Sequence, residues 1–288
     1  MNEKNISEVD FTILGLGLMG GSLAAALHEK ARSVSAVDPN PAALQFALQR
    51  GWIDRGETSL TPQLLACHCV VLAAPVRVNL TLINKIAPSL PEGCLLLDLS
   101  STKSEIFQAL QDLPAHIDPI GGHPMCGKES QGVDNADPLL FAGRVFFLTP
   151  LQRTPPAALR LALQIIAAIG ARPLVADAGQ HDSAVAAVSA LPYLLSGALA
   201  RTAHQVAQDN PLVWQAAASG YRDTSRLAAS DTNMMLDVLL TNPDNVIHAL
   251  RACLSDLQAL AEELENGREQ ALAQRLDQSK TIRRNYQE

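Results

Sequence analysis

Among the residues of this chain that could do chemistry, one histidine stands out for its setting. It lies in "G-G-H-P-M-C-G-K-E", Gly121 to Glu129, directly after the apolar stretch Ile117 to Ile120. An imidazole has an unperturbed pKa of about 6.5 and can take up a proton near neutral pH. His123 could therefore act as a base on a substrate hydroxyl, although alone it would rate as a turn residue. Two further stretches carry groups that could join it. "D-L-S-S-T-K" (Asp98 to Lys103) offers Ser101, and "G-Y-R-D-T-S-R" (Gly220 to Arg226) offers Arg222 and Arg226 with Asp223 between them. Helical spacing of four puts both guanidinium groups on one face, where they could grip carboxylates by paired hydrogen bonds. Taken alone, the arginines read more simply as a solvated face, or as an internal pair with Asp223.

A second chemistry is written at the start of the chain. "G-L-G-L-M-G-G-S" begins at Gly15, after the apolar run Phe11 to Leu16. Gly15 permits a tight turn, Gly17 lets backbone approach a pyrophosphate, and Gly20 allows close helix–strand packing. Leu18 and Met19 fall at the helix start, where free amide groups meet phosphate charge. Asp38 ends the next apolar run, and a carboxylate there accepts hydrogen bonds from the adenosine ribose and repels a 2′-phosphate. The pattern predicts NAD rather than NADP. Ala74-Pro75 ends the predicted strand that begins at Cys69 and should border the nicotinamide half, because ligands of such sheets sit outside the strand carboxyl ends.

These groups need a frame, and the first 177 residues supply a strand–helix alternation. Phe11 to Leu16, Val34 to Val37, Cys69 to Ala74 and Cys94 to Leu97 read as buried parallel strands. Helical patterns lie near Gly21 to Lys30, Pro41 to Arg50, Asn79 to Pro88 and Ser104 to Leu113. Val145 to Leu148 and Pro173 to Ala176, around a helix at Ala157 to Ile169, complete the sheet. The alternation predicts a Rossmann-type doubly wound parallel sheet over residues 1–177. From 178 to 288 no convincing strand remains, which predicts an all-α second domain. There Leu250, Leu254, Leu257, Ala261 and Leu264 step by four and three, the spacing of a packed seam. Burial within the domain and a dimer interface both fit that seam.

Composition narrows the function classes. The chain has 288 residues and a formal net charge of −7, which argues against a nucleic-acid binder, since such binding rests on basic residues. No apolar run reaches bilayer length, and the N-terminus lacks a signal-peptide pattern, so no membrane partner is expected. Five scattered cysteines do not suggest a disulfide framework, and the cytoplasm is the expected compartment. Cys67-His68-Cys69 invites a metal reading. On a strand, however, the two thiols share a face from which His68 points away, so no metal is expected.

Taken together, G-L-G-L-M-G-G-S, D-x-x-S-x-K, G-G-H-P-M, "H-D-S-A-V-A-A-V-S-A-L-P" from His181, and G-Y-R-D-T-S-R resemble the prephenate/arogenate dehydrogenases of tyrosine biosynthesis. The resemblance runs in order from about Phe11 to Leu264. It implies an NAD(P)-binding domain, a helical domain that makes a homodimer, and a site in the cleft between them. By this resemblance His123 is the catalytic histidine that hydrogen-bonds the C4 hydroxyl of the ring. Ser101 positions the same hydroxyl, Arg226 binds a substrate carboxylate, Arg222 supports it, and His181 lines the site. The implied reaction removes hydride from C4 to NAD, passes the hydroxyl proton to a base, and aromatises the ring by loss of carbon dioxide.

The family's usual S-H-L-P-H reads here Ser189-Ala190-Leu191-Pro192-Tyr193. Both histidines are gone, and Tyr193 stands at the mouth of the pocket, where members preferring arogenate can lack the histidine. Lys128 replaces a common threonine. Glu129 could favour the ammonium of arogenate, and Lys128 the extra negative charge of prephenate, so prephenate, arogenate and dual specificity all stay open. No regulatory domain is expected after the helical region, and no chorismate mutase segment before the sheet. Two other readings compete: a β-hydroxyacid or imine dehydrogenase, and a non-catalytic NAD-sensing module. The first usually draws a lysine or aspartate from the helical domain's first long helix. His181 to Leu199 holds no lysine and has Asp182 only at its start. The second would not need His123 combined with the arginine pair.

Overall fold

A computed structural model describes residues 5–128 and 130–286. Its first part alternates strands and helices. The order is β1 (Asp10–Leu14), α1 (Leu18–Leu27), β2 (Ser33–Val37), α2 (Pro41–Gln49), β3 (Arg55–Glu57), α3 (Pro62–Leu65), β4 (Cys69–Leu72) and α4 (Val76–Ile86). It continues with β5 (Cys94–Asp98), α5 (Ser104–Gln111), β6 (Ile117–Pro124), β7 (Val145–Pro150), α6 (Pro156–Ala168) and β8 (Arg172–Val175). The strands form one sheet in the order β3-β2-β1-β4-β5-β6-β7-β8. The order reverses beside β1, which makes the crevice at the carboxyl ends of β1 and β4 the expected nucleotide site.

One pairing departs from the parallel expectation, so that β7 and β8 both run against the other strands. β7 pairs antiparallel with β6, while the other neighbouring pairs are parallel. A parallel partner would need a crossover, whereas an antiparallel one is reached by a loop. The connection from Met125 to Arg144 therefore stays at the carboxyl end of the sheet, on the ligand side. The short β3 was not expected, because Arg55-Gly56-Glu57 carries no apolar run.

Strand alternation divides the core between two faces. Ile13, Val71, Leu97, Ile120 and Leu148 pack with Leu23 and Leu27 of α1 and Ile165 and Ile166 of α6. Leu14, Val70, Leu72 and Leu96 pack with Ile83 and Ile86 of α4 and Ile106 and Leu110 of α5. Each such buried side chain stabilises the fold by roughly 1.5–3 kcal/mol. His68 is turned from any thiol cluster: its Nδ1 accepts from the Asp10 N–H at 3.1 Å.

After β8 the described residues form only helices. Asp177 caps α7 (Ala178–Val185), its carboxylate accepting from the Gln180 N–H at 2.8 Å. A π turn (Ala186–Ala190) then leads into α8 (Leu191–Asp209). Pro192 accounts for that turn, since its ring lacks a donor and crowds the preceding carbonyls. The expectation that no segment reaches bilayer length is corrected here: 178–209 is long and apolar enough, by length and composition, to cross one. Ser189, Pro192, Ser196 and Gly197 break it up in sequence and hide its length. Its first turns are built into the fold, with His181 and Asp182 fully buried there. α9 (Leu212–Ala216), α10 (Ser219–Ser225), a 3-10 turn (Arg226–Ala229) and α11 (Thr232–Leu240) follow.

The chain divides into two compact units between Asn242 and Pro243. The second holds α12 (Pro243–Glu265) and α13 (Glu269–Asn285), clamped by Arg275, which donates to Asp256 at 2.6 Å and to Glu263 at 2.8 Å. The leucine seam lies on α12 and is not buried within the chain, with Leu254, Leu257 and Leu264 all exposed.

Candidate active site

The glycine turn joins β1 to α1. Gly15 has φ +100°, a conformation other residues rarely adopt, and a Cβ there would stand 2.9 Å from the Ala74 nitrogen. At Gly20 a Cβ would fall 1.9 Å from the Gly15 carbonyl oxygen, so only glycine lets α1 start so close to the turn. Gly17 differs: nothing stands within 4 Å of its Cβ position. That space lies before the free N–H groups of Leu18, Met19 and the rest of the first turn of α1, a cradle that fits a pyrophosphate. Asp38 closes the turn, its Oδ2 accepting from the Leu16 N–H at 2.7 Å and its Oδ1 from the Asn40 N–H at 2.8 Å. A cleft of about 480 Å³ runs past Leu16, Gly17, Asp38 and Phe46, and is also lined by Gln131 to Asp134. On the β4 side, the buried Asn79 amide donates to the Ala74 carbonyl and to the Ser100 hydroxyl, both at 2.9 Å. This fixes the Ala74-Pro75 turn.

His123 lies at the end of β6 in a chain of ionisable groups. Its Nδ1 is 2.8 Å from His181 Nε2, and His181 Nδ1 is 2.8 Å from Asp182 Oδ1. Asp182 also accepts from the Lys103 N–H and the Ser104 N–H, each at 2.7 Å, and from the Ser104 hydroxyl at 2.5 Å. Burial pushes the Asp182 carboxyl up, but the hydrogen bonds from His181, Ser104 and the two backbone groups outweigh it and leave the pKa lowered. Asp182 is thus an acceptor, which fixes the tautomers. His181 donates through Nδ1, its Nε2 accepts from His123 Nδ1, and His123 Nε2 is left as the lone pair that can take a proton. Burial, followed by the electrostatic effect of the neighbouring His181 and Lys103 side chains on a proton placed there, holds the His123 imidazole well below its ordinary pKa. The imidazole is therefore neutral near neutral pH. Phe147, opposite His123 across the β6–β7 ladder, sets its ring edge-on to His181 with centroids 4.9 Å apart.

The glycines before His123 make room for this arrangement. A Cβ at Gly121 would meet Thr149 Oγ1 at 2.2 Å and Lys103 Cδ at 3.2 Å; one at Gly122 would meet the Asp98 carbonyl oxygen at 2.8 Å. Lys103 is fully buried and pairs through Nζ with the buried Asp98 carboxylate. Burial lowers the Lys103 pKa, and Asp98 opposes that shift. Asp98, Lys103 and Asp182 were not singled out from sequence. The His-Asp pair one turn from a helix start, and the lysine of D-x-x-S-x-K, were the available signals.

The remaining candidates are placed as follows. Ser101 is half-buried in the β5–α5 turn, next to Thr102, whose hydroxyl meets that of Thr241 at 2.7 Å. Tyr193 is half-buried in the first turn of α8. Arg222 is exposed on α10 beside Asp223, at 3.6 Å, and Arg226 is exposed at the start of the 3-10 turn. Lys128 donates to the Asn135 carbonyl at 3.1 Å and pairs with Asp137 at 3.4 Å, on the loop that lines the nucleotide cleft. Glu129 lies outside the described residues.

Comparison with known proteins agrees with this geometry. Residues 23–175 match the family described as "Prephenate dehydrogenase, nucleotide-binding domain", and 177–278 match "Prephenate dehydrogenase, dimerization domain". A prephenate dehydrogenase of Lactococcus lactis is 31% identical over 275 residues, covering 94% of this chain and 75% of that protein. The crystal structure of Aquifex aeolicus prephenate dehydrogenase with hydroxyphenyl propionate and NAD+ superposes with a TM-score of 0.89 at 29% identity, covering 97% and 99% of the two chains. Synechocystis arogenate dehydrogenase gives 0.83 at 27% identity, covering 96% and 100%. The chain belongs to the prephenate dehydrogenase family.

Proposed function

We propose that this chain is an NAD-dependent oxidoreductase that converts prephenate to 4-hydroxyphenylpyruvate by oxidative decarboxylation, a step of tyrosine biosynthesis. The observation that carries this reading is the Asp182–His181–His123 chain, which ends on a proton-accepting nitrogen at the carboxyl end of the sheet that bears the glycine turn. The relatives' names and the NAD+ bound in the Aquifex structure support it. The turn residues Gly15, Gly17, Leu18, Met19 and Gly20, with Asp38, Ala74 and Pro75, would hold the dinucleotide, which supplies a hydride acceptor when bound. His123 Nε2 takes the proton of the ring hydroxyl, and Asp182 steadies the resulting imidazolium through His181. Ser101 orients that hydroxyl, and Arg226, helped by Arg222, anchors a carboxylate. Loss of carbon dioxide then aromatises the ring, so the protein chiefly supplies orientation and one base.

Arogenate is the second reading, favoured by one observation. Lys128, the cation suited to prephenate's extra charge, is engaged by Asp137 and Asn135. The apolar seam exposed on α12 fits a homodimer formed with a second copy, and the five free cysteines suit a cytoplasmic enzyme. The test is the rise of NADH absorbance on adding prephenate or arogenate with NAD+ to the purified chain. No rise with either acid at any pH from about 6 to about 9, a range that spans the ordinary histidine value, would refute the reading.

A further inference from the structure

The loop that leaves His123 does not stay beside the substrate. Its continuation at Gln131, Gly132, Val133 and Asp134 lines the same cleft as Gly17 and Asp38. Its docking is built into the glycine motif. A Cβ on Gly21 would stand 2.9 Å from Val133 Cγ2 and 3.1 Å from Ala136 Cβ. The second glycine of M-G-G-S therefore makes room for this loop rather than for phosphate. Ser22 completes the dock, its hydroxyl accepting from the Asp137 N–H at 2.9 Å, and Val133 is buried in the core. Gly132 has φ +89°, and a Cβ there would lie 2.5 Å from Asp134 Oδ1. The Asp134 carboxylate thus folds back over the turn that lines the cleft.

We propose that Asp134 is a second specificity determinant for the dinucleotide, acting with Asp38 on the adenosine ribose. This rests on the dinucleotide reading of the cleft. Two carboxylates can accept from the ribose hydroxyls, whereas a 2′-phosphate brings a charge of about −1.5 to −2 against both. Asp38 is held by the turn itself; Asp134 arrives on the loop that follows β6, in the other half of the sheet. Cofactor choice is then shared between the first βαβ unit and the segment that follows the catalytic histidine.

The test titrates the full chain separately with NAD+ and NADP+. Calorimetry and tryptophan fluorescence are read together, since Trp52 meets Phe46 of the cleft edge-on with centroids 5.6 Å apart. The wild type should bind NAD+ more tightly. Asp134→Asn and Asp134→Ser should each lower the ratio of the NADP+ to the NAD+ dissociation constant on the order of tenfold, the scale of removing one charge near a phosphate. Asp112→Asn, beyond the end of α5, should leave it alone. A ratio within about twofold of wild type in both Asp134 variants, or an equal shift in the Asp112 control, overturns the proposal while NAD+ binding stands. A wild type that binds neither nucleotide overturns the dinucleotide reading and the proposal together.

Discussion

His123 Nδ1 lies 2.8 Å from His181 Nε2, and through that contact a base at the end of a strand is tied to a carboxylate on a helix. One residue comes from the sheet and the other from the first turns of the helical region. The contact leaves a single nitrogen of His123 for chemistry.

Replacing that nitrogen gives the first prediction. His123→Asn should lower kcat by about 10²- to 10⁴-fold, the usual contribution of a positioned base. Substrate affinity should change little. Turnover within tenfold of wild type, measured by stopped-flow NADH formation, would remove His123 from the reaction.

Asp182 acts at one remove, so its variant should leave a different trace. Asp182→Asn keeps the shape but loses the charge, and sets an amide NH2 donor where one carboxylate oxygen accepts from the N–H of Lys103 or Ser104. It should lower kcat by about 10²-fold or more with KM little changed, and shift the pH profile. A loss of stability with an unaltered profile in the remaining active enzyme would mark the role as structural only.

The pH dependence has a sign. Burial depresses the His123 pKa in the fold, so the acid limb of kcat/KM should lie below the ordinary histidine value of about 6.5. The same depression ties stability to pH. The contribution is present above the unfolded value, and is lost as pH falls from there through the folded one. Denaturant midpoints measured through that window should fall more steeply in the wild type than in His123→Asn.

Arg226→Ala should raise KM about ten- to a hundredfold, because it removes a charge-assisted hydrogen bond to a carboxylate. kcat should fall less. An unchanged KM for both acids would take Arg226 out of the site.

Gly121→Ala tests the floor beneath His123. Its Cβ would meet Thr149 Oγ1 at 2.2 Å, and overpacking of this kind costs about 1–3 kcal/mol. A lowered Tm and reduced activity are expected together; a wild-type Tm would show that the strand relaxes freely.

The sequence made part of this site legible and withheld the rest for physical reasons. Gly15, Gly20 and Asp38 follow local rules of turn geometry, so their spacing announces them. His123 and Ser101 gained their proposed roles from several motifs read together. Asp182 reaches the site through hydrogen bonds to Lys103 and Ser104, 79 and 78 residues away in the chain, and no local pattern encodes such a meeting. The reversal of β7 left no trace either, since Val145 to Leu148 reads as a buried strand in either direction. Lys128 reads as a candidate substrate contact because it follows the histidine turn in sequence. Its partner Asp137 became visible only once the loop folded back on α1.

The docking of Val133 against Gly21 carries a consequence for recombination. A chimera that transplants only the first βαβ unit from another nucleotide-binding domain would meet a foreign loop at its first helix, with any Cβ at position 21 colliding with it. The smallest exchangeable piece is therefore discontinuous: the glycine motif together with the stretch from Gly121 to Asp137.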